Sequence, residues 1–283
     1  MTDSALEIRG LSKNYGGFRL QNLDLSLPKG CIMGLIGENG AGKSTTIKLI
    51  LNMIHRDSGE IQILGSDNRT HFKAVKENLG VVLDECFFPE MLTAQDLNRI
   101  LRNTYRRWDQ AVFMSHLERF RLPRKKPIKA YSRGMKMKLA IAAALSHHPK
   151  LLLLDEATSG LDPIVRDEIL DLFFDFIQEE DRSILISSHM ISDLQKVCDY
   201  ITFLHRGRCM FSEPKDDLLS AYRVVKCSEA ALAGLPSSAV CGIRRNSFGA
   251  EALVRATAVP RGIVSDPADI ETIMLFLAKE GSK

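Results

Sequence analysis

Residues Gly37-Glu38-Asn39-Gly40-Ala41-Gly42-Lys43-Ser44 match the pattern G-x-x-x-x-G-K-[ST] in full. A strand-like apolar run, Cys31–Ile36, precedes them, and a helical pattern from Lys43 to about Met53 follows. That context admits few folds, because the loop needs a buried strand on one side and a helix N-terminus on the other. Its glycines let backbone N–H groups turn inward around an anion, and the helix presents its positive end to the same anion. Lys43 then reaches the β- and γ-phosphates of a nucleotide, and the Ser44 hydroxyl ligates Mg²⁺. Gly37, Asn39, Gly40, Ala41, Gly42, Lys43, Ser44 and Thr45 are therefore the expected cofactor-binding residues.

A second segment completes the site. Leu151-Leu152-Leu153-Leu154 has the continuous apolar character of a strand buried on both faces, and it delivers Asp155 and Glu156 at its C-terminal end. Open α/β sheets place their sites at that end of the strands. Asp155 suits Mg²⁺ through water, and Glu156 suits polarisation of an attacking water. An apolar strand ending in an acid is a weak signal alone; beside a phosphate loop it is a strong one.

The chain has 283 residues, enough for one large core and a smaller unit. Hydrophobic residues are 45% and charged residues 26%, which excludes disordered, collagenous and low-complexity classes. A net charge of +3 does not by itself imply nucleic acid or a membrane surface. The six cysteines show no CxxC spacing, so free thiols in a reducing compartment are expected rather than disulfides or a zinc site. The N-terminus lacks a secretory n- and h-region, and no apolar run approaches the roughly 20 residues that span a bilayer. We expect a cytoplasmic protein whose membrane role needs a partner.

Strands are expected at Ala5–Arg9, Phe18–Leu27, Cys31–Ile36, Gly59–Leu64, Leu79–Leu83, Leu151–Leu154, Ser183–Ser187 and Tyr200–Leu204, alternating with helices. Such alternation predicts an α/β fold with a largely parallel sheet. Residues 86–146 read as a helical insertion, opened in part by a capping-box-like Thr93-Ala94-Gln95-Asp96. Asp162-Pro163 supplies an N-cap and a first-position proline for a later helix. After about Ser212 the character changes to short strands at Val224–Cys227, Ala239–Ile243 and Ala252–Ala256. A helix starting at Asp266-Pro267 then puts Ile270, Ile273, Met274 and Leu277 on one stripe.

With these motifs in this order, residues Ala5 to Ser212 resemble the nucleotide-binding subunit of an ATP-binding cassette (ABC) transporter. The resemblance implies a P-loop NTPase cassette over 1–212, with a RecA-like core, an antiparallel β subdomain and a helical subdomain at about 86–146. A small α+β accessory domain would occupy 213–283. It also implies roles for further residues. Tyr15 sits where the family stacks a ring on adenine, although it also fits the closing of a hairpin before Gly16-Gly17. Ser159-Gly160-Leu161-Asp162 resembles the loop that crosses the dimer interface, and Asp162 serves equally as a helix cap. Ser187-Ser188-His189 resembles the switch histidine that contacts the γ-phosphate. Lys43, Glu156 and His189 are the expected catalytic residues.

Two motifs depart from the family pattern. The signature loop, usually Leu-Ser-Gly-Gly-Gln, reads Tyr131-Ser132-Arg133-Gly134-Met135. Ser132 still caps a helix whose N-terminus faces an anion, in the family the γ-phosphate held by the other subunit, and Gly134 is retained. Arg133 replaces a glycine, and its guanidinium points either at phosphate or at solvent. Asp84 stands where a Mg²⁺-ligating glutamine is expected, so Ser44, Asp84 and Asp155 form the expected metal set. Asp84 adds a charge near the γ-phosphate, with repulsion of about 1–4 kcal/mol depending on the local dielectric; modest ATPase activity follows for the isolated chain.

Phosphate loop and signature loop each occur once, so the resemblance implies a dimer of two copies with ATP between them, powering a membrane permease on the inner face of the membrane. The altered signature, Asp84 and the C-terminal segment point to the branch of bacitracin-resistance and other peptide or drug exporter ATPases. A soluble regulatory ATPase of the same fold, acting on ribosomes or DNA, is the alternative; a single cassette without sustained heptads disfavours it, and no nucleic-acid partner is expected. The cluster Arg119, Arg121, Arg124, Lys125, Lys126 and Lys129 reads as a solvated face, His147-His148 as cations capping a helix C-terminus, and Phe87-Phe88 as either a contact for a membrane partner or internal packing.

Overall fold

The computed structural model describes residues 4–228, 231–232, 234–236, 238–246, 249–259 and 263–280. Strands β1 (Ser4–Asn14) and β2 (Arg19–Pro28) pair antiparallel. In β2, Leu20, Leu23, Leu25 and Leu27 are buried while most of the residues between them are more exposed, so one face of this hairpin meets solvent. Strand β3 (Ile32–Gly37) is buried throughout, and helix α1 (Lys43–Ile50) follows the phosphate loop. Strand β4 (Ser58–Ile63) pairs antiparallel with β1, β5 (Ser66–Asp67) forms an edge, and the short α2 (Phe72–Val75) leads to β6 (Leu79–Val82).

The helical segment contains α3 (Ala94–Thr104), α4 (Gln110–Arg119) and α5 (Arg133–Leu145). The capping box at Thr93 is present: Asp96 N–H donates to Thr93 Oγ1 at 3.1 Å, and Thr93 N–H donates to Asp96 Oδ2 at 3.1 Å. Strand β7 (Leu151–Asp155), α6 (Pro163–Ile177), β8 (Ser183–Ser188), α7 (Ile191–Val197), β9 (Tyr200–His205) and β10 (Arg208–Pro214) complete the large sheet and its flanking helices.

That sheet has the order β5-β4-β1-β2-β10-β9-β3-β8-β7-β6. The run β9-β3-β8-β7-β6 is parallel, and the other half is mainly antiparallel, matching the expected core and β subdomain. Alternate side chains of the parallel strands enter two separate cores. Ile32, Leu152, Leu154, Ile184 and Ile186 join one, while Met33, Leu35, Leu151, Leu153 and Leu185 join the other. Both faces are covered, which is why these strands read as unbroken apolar runs.

Helix α8 (Lys215–Ala221) then leads to β11 (Tyr222–Cys227), β12 (Val240–Asn246), β13 (Gly249–Arg255) and β14 (Ser265–Pro267), which form a second sheet ordered β12-β13-β11-β14, followed by α9 (Ile270–Glu280). Leu218, Tyr222, Leu253, Ile270, Ile273 and Phe276 belong to the same buried cluster as Phe203 and Phe211 of the large sheet. The expected helix start at Asp266-Pro267 is corrected. Those residues pair with β11, and the Lys226 ammonium holds Asp266 at 3.0 Å. Asp269 caps the helix instead, its Oδ1 accepting from Thr272 N–H at 2.7 Å.

Candidate nucleotide site

The phosphate loop leaves β3 and turns into α1 at Gly42, whose φ of 114° lies where side chains are strained. A Cβ there would also stand 3.0 Å from the tip of the Phe18 ring, so a side chain at this position would crowd it as well. Lys43 is almost wholly buried. Its ammonium donates to Gly37 O at 2.7 Å and Glu38 O at 3.3 Å, and lies 3.4 Å from Glu156 Oε1.

Glu156 adopts a φ of 52°, left-handed for a residue with a side chain. Its N–H donates to both Ser187 O and Ser187 Oγ at 3.1 Å, which fixes this turn to the end of β8. The carboxylate then meets His189 Nδ1 at 2.7 Å from Oε2. A carboxylate only accepts, so Nδ1 carries the hydrogen and Nε2 faces away from Glu156. Asp155, one residue earlier, is 2% exposed and accepts from Ser187 Oγ at 2.5 Å. Burial holds its pKa above the usual carboxylate range; hydrogen bonds from Ser187 and Ser44 oppose that, and the charges of Asp84 and Glu156 add to it.

Asn39, Gly40, Gly42, Lys43, Ser44, Thr45, Asp84, Glu156 and His189 line one cavity of about 830 Å³. Ala41 is buried under the loop, and Gly37 lines a neighbouring cleft. Tyr15 is half exposed at the β1–β2 turn, its N–H donating to Phe18 O at 2.9 Å and the Lys13 ammonium 5.4 Å from its ring centre; it is not among the residues that line the cavity. The aromatic side chain over the phosphate loop is Phe18, which sequence reasoning missed, because its approach to Gly42 exists only in the folded chain.

Ser132 Oγ accepts from Met135 N–H at 3.3 Å and Asp162 Oδ1 from Val165 N–H at 3.0 Å, so both act as helix caps within this chain. Gly134 is half-buried in the first turn of α5. The Arg133 guanidinium lines the cavity and lies against Gly160: a Cβ at Gly160 would be 2.8 Å from Nη1. Both histidines of the 147–148 pair differ from expectation. His147 is buried, stacked 4.0 Å from Tyr105, with Nε2 at 2.9 Å from Leu79 O, and burial lowers its pKa. It therefore favours the neutral form and is no cationic cap. His148 instead faces Asp109 at 3.4 Å. Phe87 is exposed and Phe88 packs against the core.

Residues 20–159 match the family described as ABC transporter. The ATP-binding protein YtrB of Bacillus subtilis is 35% identical over 77% of this chain and 74% of its own length. The chain belongs to the ATP-binding proteins of ABC transporters. It is the ATP-binding subunit of such a transporter, an ATPase coupled to transport. The bacitracin transport protein BcrA of Bacillus licheniformis is 34% identical over 74% of this chain and 69% of its own. A solved structure titled as an ATP binding subunit of an ABC transporter superposes with a TM-score of 0.69 at 28% identity, covering 76% of this chain and 92% of that one. No helix among the described residues of this ABC subunit is long and apolar enough to cross a membrane.

A further cleft of about 340 Å³ separates the phosphate loop and His189 from α9, with Met274, Leu275 and Ala278 on its far wall. Helix α9 thus stands beside the phosphate loop and His189.

Proposed function

We propose that this subunit drives export of a peptide or drug by binding and hydrolysing ATP between two copies of itself, on the inner face of a membrane and docked to a membrane-spanning permease. The observation that carries the reading is the convergence of Lys43 and His189 on Glu156, at 3.4 Å and 2.7 Å from its two carboxylate oxygens, at the C-terminal ends of parallel strands. Lys43 clamps the phosphates, Glu156 polarises the attacking water, and His189 senses the γ-phosphate. Ser132 and Gly134 of one copy face the nucleotide held by the other, and Asp162 lies in the loop between the copies.

Ser44, Asp84 and Asp155 offer hard oxygen donors, and the Asp84 charge acts on the buried Asp155 carboxylate. This donor set fits Mg²⁺, which keeps several waters and takes phosphate oxygens, so an all-protein cage is not required. Bound there, Mg²⁺ supplies charge neutralisation for the phosphates.

A peptide cargo is supported by relatives named for bacitracin and lantibiotic transport. Residues 1–212 serve as the cassette, 86–146 as its helical subdomain, and 213–283 as the accessory unit. Exposed Phe87 suits contact with the permease. The test is capture of the tagged chain from membranes of its native cells in mild detergent. Recovery of a multi-spanning membrane protein supports the reading; recovery of ribosomal or DNA-repair proteins alone overturns it.

A further inference from the structure

Arg166 lies in the first turns of α6, just beyond the loop that leaves Glu156. Its Nη2 donates to Leu161 O at 3.2 Å, and its Nε lies 3.4 Å from Asp193 Oδ2. Asp193 is 4% exposed and occupies the first turn of α7, four residues after His189. One guanidinium therefore touches both segments that flank the Glu156–His189 contact: the loop running on from Glu156, and the helix running on from His189.

The chemistry of this pair is not that of a stability device. Arg166 Nε and Asp193 Oδ2 are both buried, and neither has a hydrogen-bond partner among the described residues. Removing the Asp193 carboxylate and most of the Arg166 side chain from water is costly, and at 3.4 Å without a well-formed hydrogen bond the attraction offsets that cost poorly. Such a contact fixes relative position instead. Leu194, Val197 and the partly buried Ile191 seat α7 in the core. The charged contact adds a directional tie at the first turn of α7, four residues from His189.

We propose that Arg166 and Asp193 form a positioning pair that registers the His189 segment against the loop following Glu156, so that the two side chains meet. The proposal rests on the assignment of Glu156 and His189 to ATP hydrolysis. Neither Arg166 nor Asp193 lines the ATP cavity, so the pair acts through His189 and not on the nucleotide.

The experiment compares Arg166→Ala, Asp193→Asn, the double variant and Arg166→Lys with the full chain, measuring steady-state ATP hydrolysis and binding of a fluorescent ATP analogue. The pair predicts about a ten-fold loss of kcat in each single variant with KM and analogue affinity within about two-fold. It also predicts a double variant no worse than the poorer single one. Arg166→Lys keeps a charge near Asp193 and is expected to recover most of kcat. Retained kcat in Asp193→Asn with only a lower denaturation midpoint overturns the proposal, as does multiplication of the two losses in the double variant. Should an alanine variant fail to fold, Asp193→Asn and Arg166→Lys, which keep shape, decide the question by kcat. A wild-type chain that binds but never hydrolyses ATP overturns the hydrolysis assignment itself, a separate failure visible before any variant is made.

Discussion

Glu156 Oε2 and His189 Nδ1 stand 2.7 Å apart, although 33 residues separate them in sequence. The left-handed backbone of Glu156, pinned to Ser187, aims its carboxylate at the ring. Because Nδ1 faces Glu156, the other ring nitrogen is free to meet substrate. We predict that His189→Ala lowers turnover by at least about a hundred-fold, within the range of positioned acid–base groups, while ATP binding persists. Steady-state hydrolysis set beside equilibrium nucleotide binding checks this.

Asp84 contributes negative charge to the same site as Asp155 and Glu156. Replacing it with glutamine, which keeps an oxygen donor and removes the charge, weakens attraction for a divalent cation. For Asp84→Gln we expect the Mg²⁺ concentration at half-maximal activity to rise about five-fold, equivalent to about 1 kcal/mol. Turnover at saturating Mg²⁺ is expected to rise as repulsion near the γ-phosphate falls. Unchanged Mg²⁺ dependence and unchanged turnover together mean the residue is idle.

Phe18 lines the cavity and Tyr15 does not. An aromatic contact adds about 0.5–1.5 kcal/mol beyond the area it covers. Phe18→Ala is therefore expected to weaken ATP binding by about five- to ten-fold, and Tyr15→Ala by less than about two-fold, as titration with a fluorescent analogue reads directly.

His147 sets a pH dependence of stability. Burial holds its folded pKa below the ordinary 6.5, so the unfolded chain binds the proton more readily. Its contribution is fully present above about pH 6.5 and is lost as pH falls through the lowered folded value. His147→Gln, which keeps an N–H for Leu79 O, should flatten the fall in denaturation midpoint on acidification. It will not abolish the fall, because burial also lowers His116.

Much of this site was readable before any coordinates. The phosphate loop, the Leu151–Leu154 strand with its two acids, and the caps at Thr93, Ser132 and Asp162 are local patterns whose physics lies within a few residues. What escaped depends on distance. Asp266-Pro267 carries a sound helix-start signal, yet pairing with β11 and the Lys226 contact claim it, and Asp269 takes the cap. His147 looked like a terminal cation because sequence does not show Tyr105 stacked on it or Leu79 O beside it. Phe18 and Arg166 act through partners dozens of residues away in the fold or at a strand mouth, and no periodicity marks them.

In the proposed cycle, ATP joins two copies of this subunit and Glu156 then hydrolyses it. Glu156→Gln removes the base while keeping the shape of the side chain, so it should halt the cycle in the joined state. Light scattering of that variant, with and without saturating ATP and Mg²⁺, reads the joining of the two copies. A mass that doubles on adding ATP, with hydrolysis abolished, is the predicted result; a variant that binds ATP yet keeps the mass of a single chain contradicts it.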